Sequence, residues 1–132
     1  MGWWLEPPDL TVQHPAVLYL HGVKGTRGRS YRLGLARLLL SLGLPVLCID
    51  YRGFADSGPV GQAGPGEAAL VADGLAALDW LRARWPGRVL VWGHSLGSAV
   101  ATHTVAEDHG NPQVAGLVIE SPFNNLAEQD WN

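Results

Sequence analysis

One cysteine, Cys48, in a chain of 132 residues excludes any intrachain disulfide. It sits inside the apolar run "PVLCI" and reads as a small buried hydrophobe rather than a reactive thiol. No Cys/His group has the spacing of a zinc site, so no metal and no cofactor are expected. Charge is sparse, 16% of residues with a net charge of −3 and a pI near 5.9, and no basic stripe advertises nucleic acid. The start "MGWWLE" has neither the basic region and apolar core of a secretory signal nor the Ser or Thr of a myristoylation motif. The most apolar stretch, "LARLLLSLGLPVLCI", is broken by Arg37, Gly43 and Pro45 and is too short to span a bilayer. No internal repeat and no linker divides the chain. What remains is a 47% hydrophobic sequence long enough for one buried core.

Four short runs rich in Val, Leu and Ile carry the first positive signal. "AVLYL" (16–20), "PVLCI" (45–49), "RVLVW" (88–92) and "VAGLVI" (114–119) are apolar on both faces, as strands of a buried parallel sheet must be. Helical patterns lie between them. Tyr31 to Leu42 carries Leu35, Leu38, Leu39 and Leu42 as its core face, with Ser30 as N-cap and Gly43 as stop. Glu67 to Trp85 carries Leu70, Leu75, Leu78, Leu81 and Trp85, and a third helix runs from Leu96 to Asp108. This alternation predicts an α/β fold, a three-layer sandwich with a mostly parallel sheet between helices. Residues 1–14 form an arm or the end of an earlier strand, and 15–132 form the domain. The glycine-rich segment at 51–66 is too irregular to join either neighbour.

Each strand run ends in a chemically loaded tetrapeptide, at the sheet end where α/β proteins collect ligands. In "LVWGHSLGSAV", Ser95 stands between Gly93 and Gly97 at the seam of a strand and a small-residue helix. A serine on so sharp a turn needs an unusual backbone, and the residues two before and two after it must be tiny. The pattern G-x-S-x-G arises by chance in about one chain in ten of this composition, so its strand–turn–helix context carries the weight. An acyl-transfer nucleophile needs two N–H groups aimed at the developing oxyanion. Leu96, just after the serine, supplies one. Val23, in "HGVKG" after the first run, supplies the other, with His21, Gly22, Gly93, His94 and Gly97 as support. "GVKGTRG" lacks the residue order of a nucleotide-binding loop.

"LYLHG" with "GTRG", "IDYRGFADS", "ALDWLRAR", "VWGHSLGSAVATH" and "ESPFNN" together resemble the α/β hydrolases. More narrowly, they resemble the α/β-hydrolase-domain-containing lysophospholipase and monoacylglycerol lipase branch, in its order and spacing from about Pro15 to Leu126. Two local departures stand out: Val23-Lys24 where that branch often has Asn-Ala, and "SAV" for "TGV" after the elbow. The resemblance implies a serine hydrolase of lipid carboxylic esters acting through an acyl-serine, intracellular or associated with the endoplasmic reticulum membrane. It implies an upstream membrane helix, which this sequence does not contain.

In that fold the triad runs Ser, then Asp or Glu, then His, and only 37 residues follow Ser95. The local histidines are poor substitutes. His94 adjoins the serine and should point away. His103 lies about 12 Å along the helix, His109 farther, and His14 at the wrong end of its strand. His21 is the best placed, although the resemblance makes it structural. Glu120 could serve as an acid but has no histidine to orient, and Asp50 and Asp56 are expected to brace the segment at 51–66. The domain is therefore expected to be incomplete, its C-terminal strands missing: the N-terminal part or a short isoform of a hydrolase. The alternative is a non-catalytic relative that binds a lipid or a full-length partner. Lys24, Arg27, Arg29, Arg32 and Arg37 form a basic cluster, either a solvated face or a contact for anionic headgroups. A membrane surface is thus a second partner. The unguarded edge of "VAGLVI" offers homo-association as a third.

Overall fold

The computed structural model describes residues 1–22, 30–54 and 66–122. Eight elements alternate along them: β1 (Gly2–Leu5), β2 (Ala16–Leu20), α1 (Ser30–Ser41), β3 (Val46–Ile49), α2 (Glu67–Arg84), β4 (Val89–His94), α3 (Leu96–Glu107) and β5 (Val114–Glu120). The strands form one sheet in the order β1-β3-β2-β4-β5. β2, β3, β4 and β5 are parallel, and β1 joins antiparallel at the edge, pairing Gly2 with Ile49 and Leu5 with Val46. The four expected strands and three helices are all present. The N-terminal arm contributes a fifth strand, whose Trp4 packs against Trp80 and Trp85 at 6.2 Å between ring centres.

β2 is the hub because it is paired on both sides and buried along its whole length. Its side chains alternate between two cores. Ala16, Leu18 and Leu20 join Leu47, Val89 and Val91 under Leu70, Leu78 and Leu81 of α2 and Leu96, Ala99 and Val100 of α3. On the opposite face Val17 and Tyr19 join Val46 and Cys48 under Ala36 and Leu39 of α1.

α1 departs from the sequence reading. Leu39 is buried, but Leu38 and Leu42 are 56% and 60% exposed. The inward stripe is Arg32, Ala36 and Leu39. Arg32 is no part of a solvated face: it is 1% exposed and donates from Nη2 to the Gly22 carbonyl at 3.2 Å. That buried acceptor lets an arginine occupy a core position, which rotates the helix away from its leucines. Lys24, Arg27 and Arg29 lie outside the described residues.

α2 and α3 cross closely on the other face. Gly74 meets Thr104 so tightly that a Cβ at 74 would sit 2.3 Å from Thr104 Oγ1. Lower down, the Arg82 guanidinium grips both carboxylate oxygens of Asp108, with Nη1 to Oδ1 at 2.7 Å. Gln113 Nε2 then closes the bottom of the sheet by donating to the Trp85 and Gly87 carbonyls at 2.7 and 2.8 Å. Gly74→Ala gains about 1 kcal/mol of helix propensity but forces apart a crossing that costs about 1–3 kcal/mol to overpack. A net loss of up to about 2 kcal/mol is expected, read as a lowered denaturation midpoint with unchanged slope.

Candidate active site

The carboxyl ends of β2, β4 and β5 meet at Ser95. Register places Leu20 beside Gly93, Gly93 beside Ile119, and His94 beside Glu120. Ser95 itself adopts φ 52° and ψ −115°, a backbone that a non-glycine residue reaches only under constraint. The constraint is visible. The Ser95 N–H donates to the Glu120 carbonyl at 2.9 Å, which ties the turn to β5. The Ser95 carbonyl in turn accepts the Ser98 N–H at 2.9 Å and the Ser98 hydroxyl at 2.6 Å.

The two flanking glycines make the turn possible. A Cβ on Gly93 would lie 2.1 Å from the Gly97 carbonyl oxygen, and one on Gly97 would lie 1.9 Å from the Leu20 carbonyl oxygen. Both obstacles are backbone, so neither can swing aside. Gly22 serves a similar end more gently, its open side facing His94 Nδ1 at 3.3 Å and Ser95 Cβ at 3.4 Å. Leu96, fully buried, opens α3 directly after the serine. The first N–H groups of a helix lack intrahelical acceptors and form its positive end.

Beside the elbow, His21 is fully buried and bonded on every side. Nδ1 donates to the Gly22 carbonyl at 2.5 Å, so the other ring nitrogen is the acceptor in the neutral ring. That nitrogen, Nε2, receives the Tyr51 N–H at 3.4 Å and lies 3.5 Å from Asp50 Oδ1. The Tyr51 hydroxyl donates back to the His21 carbonyl at 2.9 Å, and the tilted Tyr51 ring and the edge-on Phe54 ring pack against the imidazole at 4.3 and 5.1 Å between centres. Burial, above all, pushes the His21 pKa down to about 4, with the Arg32 charge adding to the effect. The Gly22 bond and Asp50 oppose the shift.

Most of the residues singled out in the sequence come together here. Ser95, Leu96, Gly93, His94, Gly97, His21 and Gly22 gather where β2 and β4 end and α3 begins. Val23 and Asp56 lie outside the described residues. Asp50 faces His21. The brace on the chain after β3 comes from a residue the sequence did not single out: Asp73 of α2 takes the Arg52 N–H at 2.8 Å and its guanidinium at 2.7 and 3.0 Å. Glu120 presents its carbonyl to Ser95 and its carboxylate to the Trp92 indole, at 2.5 Å. His14 contacts the Gly43 carbonyl at 3.2 Å, His103 lies 3.5 Å from Glu67, and His94 turns toward Tyr31, 5.8 Å between rings. Among the described residues the Ser95 hydroxyl has no hydrogen-bond partner, and no His/Cys/Asp/Glu group could hold a metal ion. A cavity of about 430 Å³ opens elsewhere, between β1, β3 and α2.

The family model described as serine aminopeptidase, S33, matches residues 12–131. The lysophosphatidylserine lipase ABHD12 of Danio rerio is 44% identical over 129 residues, covering 96% of this chain and 32% of its own length. The human protein ABHD12B is 42% identical over 116 residues, covering 86% and 31%. The chain therefore spans about a third of the curated relatives it matches. Among solved structures, the Pyrococcus furiosus esterase PF2001 is 27% identical with a TM-score of 0.74, covering 92% of this chain and 43% of its own. Est1E of Butyrivibrio proteoclasticus, solved with ferulic acid bound, is 18% identical with a TM-score of 0.81, covering 92% and 48%.

Two outcomes test this geometry. Gly97→Ala is expected to cost more than about 4 kcal/mol or to prevent folding, whereas Gly34→Ala, with open space in mid-helix, stabilises by up to about 1 kcal/mol. Denaturant titration measures both. The second is pH. An unfolded histidine binds its proton at 6.5, and the buried His21 only at about 4. Between those values the unfolded state holds more protons, so stability present above pH 6.5 is lost as the pH falls toward 4. His21→Gln is expected to flatten that part of the profile.

Proposed function

The chain belongs to the serine aminopeptidase S33 family and carries the α/β-hydrolase fold, and we propose that it is the nucleophile-bearing part of a serine hydrolase that cleaves carboxylic esters of lipids. The observation that carries this reading is the strained Ser95 backbone, held by glycines whose replacement would strike the main chain. Backbone outliers of this kind cluster at active sites. The choice of a lipid ester over a peptide bond rests on the relatives at 42–44% identity.

In the proposed reaction the Ser95 hydroxyl loses its proton to a base and attacks the ester carbonyl. The charge that develops on the carbonyl oxygen is met by the Leu96 N–H, reinforced by the positive end of α3, and by the Val23 N–H. The C–O bond to the alcohol then breaks, the alcohol leaves with a proton, and the acyl-serine is hydrolysed by water. His21 is not the base in this scheme. Its proton on Nδ1 is committed to Gly22, and its ring is walled in by Tyr51 and Phe54. The base and its acid follow β5 in the chain order that the resemblance implies. A setting inside the cell, at the endoplasmic reticulum membrane, goes with the same reading.

The engagement of His14, His21 and His103 with groups other than Ser95 favours a second reading for the 132 residues by themselves: a non-catalytic chain that binds a lipid or a larger partner. Self-association through β5 accompanies either one. Among the described residues β5 is the last strand on its side of the sheet, with Leu117 39% and Ile119 47% exposed.

Three outcomes decide the proposal. Residues 1–132, grafted in place of the matching third of the Danio rerio lipase, are expected to support hydrolysis of lysophosphatidylserine and labelling by a fluorophosphonate. Ser95→Ala removes both, and undiminished labelling of that variant overturns the assignment. The 132-residue chain alone is expected to turn over short esters near background, a loss that removing the general base explains. Robust turnover that vanishes in His21→Ala would reverse the role given to His21. Finally, Leu117→Lys is expected to raise the monomeric fraction in size-exclusion chromatography.

A further inference from the structure

Of the two arginines on α1, the fold buries Arg32 and leaves Arg37 in solvent. Packing does not call for a guanidinium at that position. Burying one is costly, and an apolar residue of similar volume would fill the space as well or better. Nor is Arg32 needed to satisfy Gly22. That carbonyl already accepts the His21 Nδ1 proton at 2.5 Å, and Arg32 Nη2 adds a second bond at 3.2 Å. One donor satisfies a buried carbonyl, whereas two occupy both lone pairs and leave it a single direction.

What the second bond steadies is the wall beside the nucleophile. A Cβ on Gly22 would lie 3.3 Å from His94 Nδ1 and 3.4 Å from Ser95 Cβ, so the Gly22 main chain backs directly onto the elbow. The guanidinium also lies 5.3 Å from the centre of the Tyr31 ring, and that ring lies 5.8 Å from His94. Its charge is felt across the cluster. Burial raises the Tyr19 hydroxyl to about 12 and the Tyr51 hydroxyl as well, and Arg32 is the strongest influence opposing both. The body of α1 packs on the face of the sheet opposite α2 and α3. Arg32 carries that distant layer to the corner where Ser95 stands. Arg32 is 1% exposed and His21 0%, and further chain packed outside them only deepens that burial.

We propose that Arg32 is a positioning residue for ester hydrolysis: by holding the Gly22 carbonyl it fixes the main chain against which Ser95 meets its substrate. This role rests on the reading of Ser95 as the nucleophile and adds the residue that keeps its surroundings in place.

The graft of residues 1–132 into the Danio rerio lipase tests it. Labelling to completion by a fluorophosphonate counts the sites, and kcat is expressed per labelled site. Arg32→Met, which keeps an apolar stem of similar length, is expected to lower kcat on lysophosphatidylserine about 100-fold, the scale of a small misplacement at the reacting atoms. KM is expected to stay within about twofold of the parent, as for an interaction realised in the transition state. Arg32→Lys, still able to donate to the Gly22 carbonyl, is expected to recover most of that loss. Counting sites separates this role from a merely structural one. If Arg32→Met lowers only the number of sites or the thermal midpoint, and each labelled site turns over at the parental kcat, the proposal is overturned. Equal kcat in the Lys and Met variants overturns it too. Where Arg32→Met gives no labelled sites, Arg32→Gln, polar but too short to reach the Gly22 carbonyl, carries the same expectation and the same refutation. Ser95→Ala keeps the two failures apart. If it silences the graft while Arg32→Met keeps the parental kcat, only the role of Arg32 falls. If it still labels, or if the graft is inactive from the start, the reading of Ser95 falls and the role of Arg32 with it.

Discussion

The approach of Gly97 to the Leu20 carbonyl is the constraint on which the rest of the site depends. At 1.9 Å from a would-be Cβ, the start of α3 lies against the end of β2 with no room for any side chain. That contact forces the chain to leave β4 and enter α3 within a single residue, and the single residue is Ser95. Its positive φ follows from the geometry of the corner. The small residues after it, Ser98 and Ala99, keep the next turn of α3 close to the sheet, so the helix end stays directed at the space above the serine.

A second layer of constraint stands behind β2. Gly22 accepts hydrogen bonds from both His21 and Arg32. Its carbonyl is thereby fixed in direction. His21 achieves this as a neutral, dehydrated ring held by Tyr51 and Phe54. A protonated His21 would have to lose its wall of aromatic rings to be solvated. Arg52 and Asp73 extend the same scheme outward by tying the chain that leaves β3 to the flank of α2.

How much of this could be read from the sequence followed the range of each interaction. The parallel strands were legible because burial on both faces writes itself into every residue of "AVLYL" and "RVLVW". The elbow was legible because all its parts lie within five residues. β1 was only half legible: "GWWL" becomes a strand through pairing with β3 and through Trp4 meeting Trp80 and Trp85, and all of these partners are distant in sequence. The inward face of α1 was misread. Leucine spacing pointed to Leu38 and Leu42, while the helix turned to bury Arg32 against a backbone carbonyl that no side-chain pattern announces. The Arg52–Asp73 clamp was invisible for a similar reason, since nothing local distinguishes Asp73 from any other acid on an exposed helix face.

The glycines of the elbow are opposed by main-chain oxygens rather than by side chains, and this has a genetic meaning. A crowded side chain can be relieved by trimming its neighbour, so a substitution at an ordinary core position can be rescued by a second one nearby. A peptide carbonyl has no smaller allele. Loss of Gly93 or Gly97 therefore has no intragenic suppressor at the contact itself, and lineages that lose either glycine have reversion as their only route back to this turn.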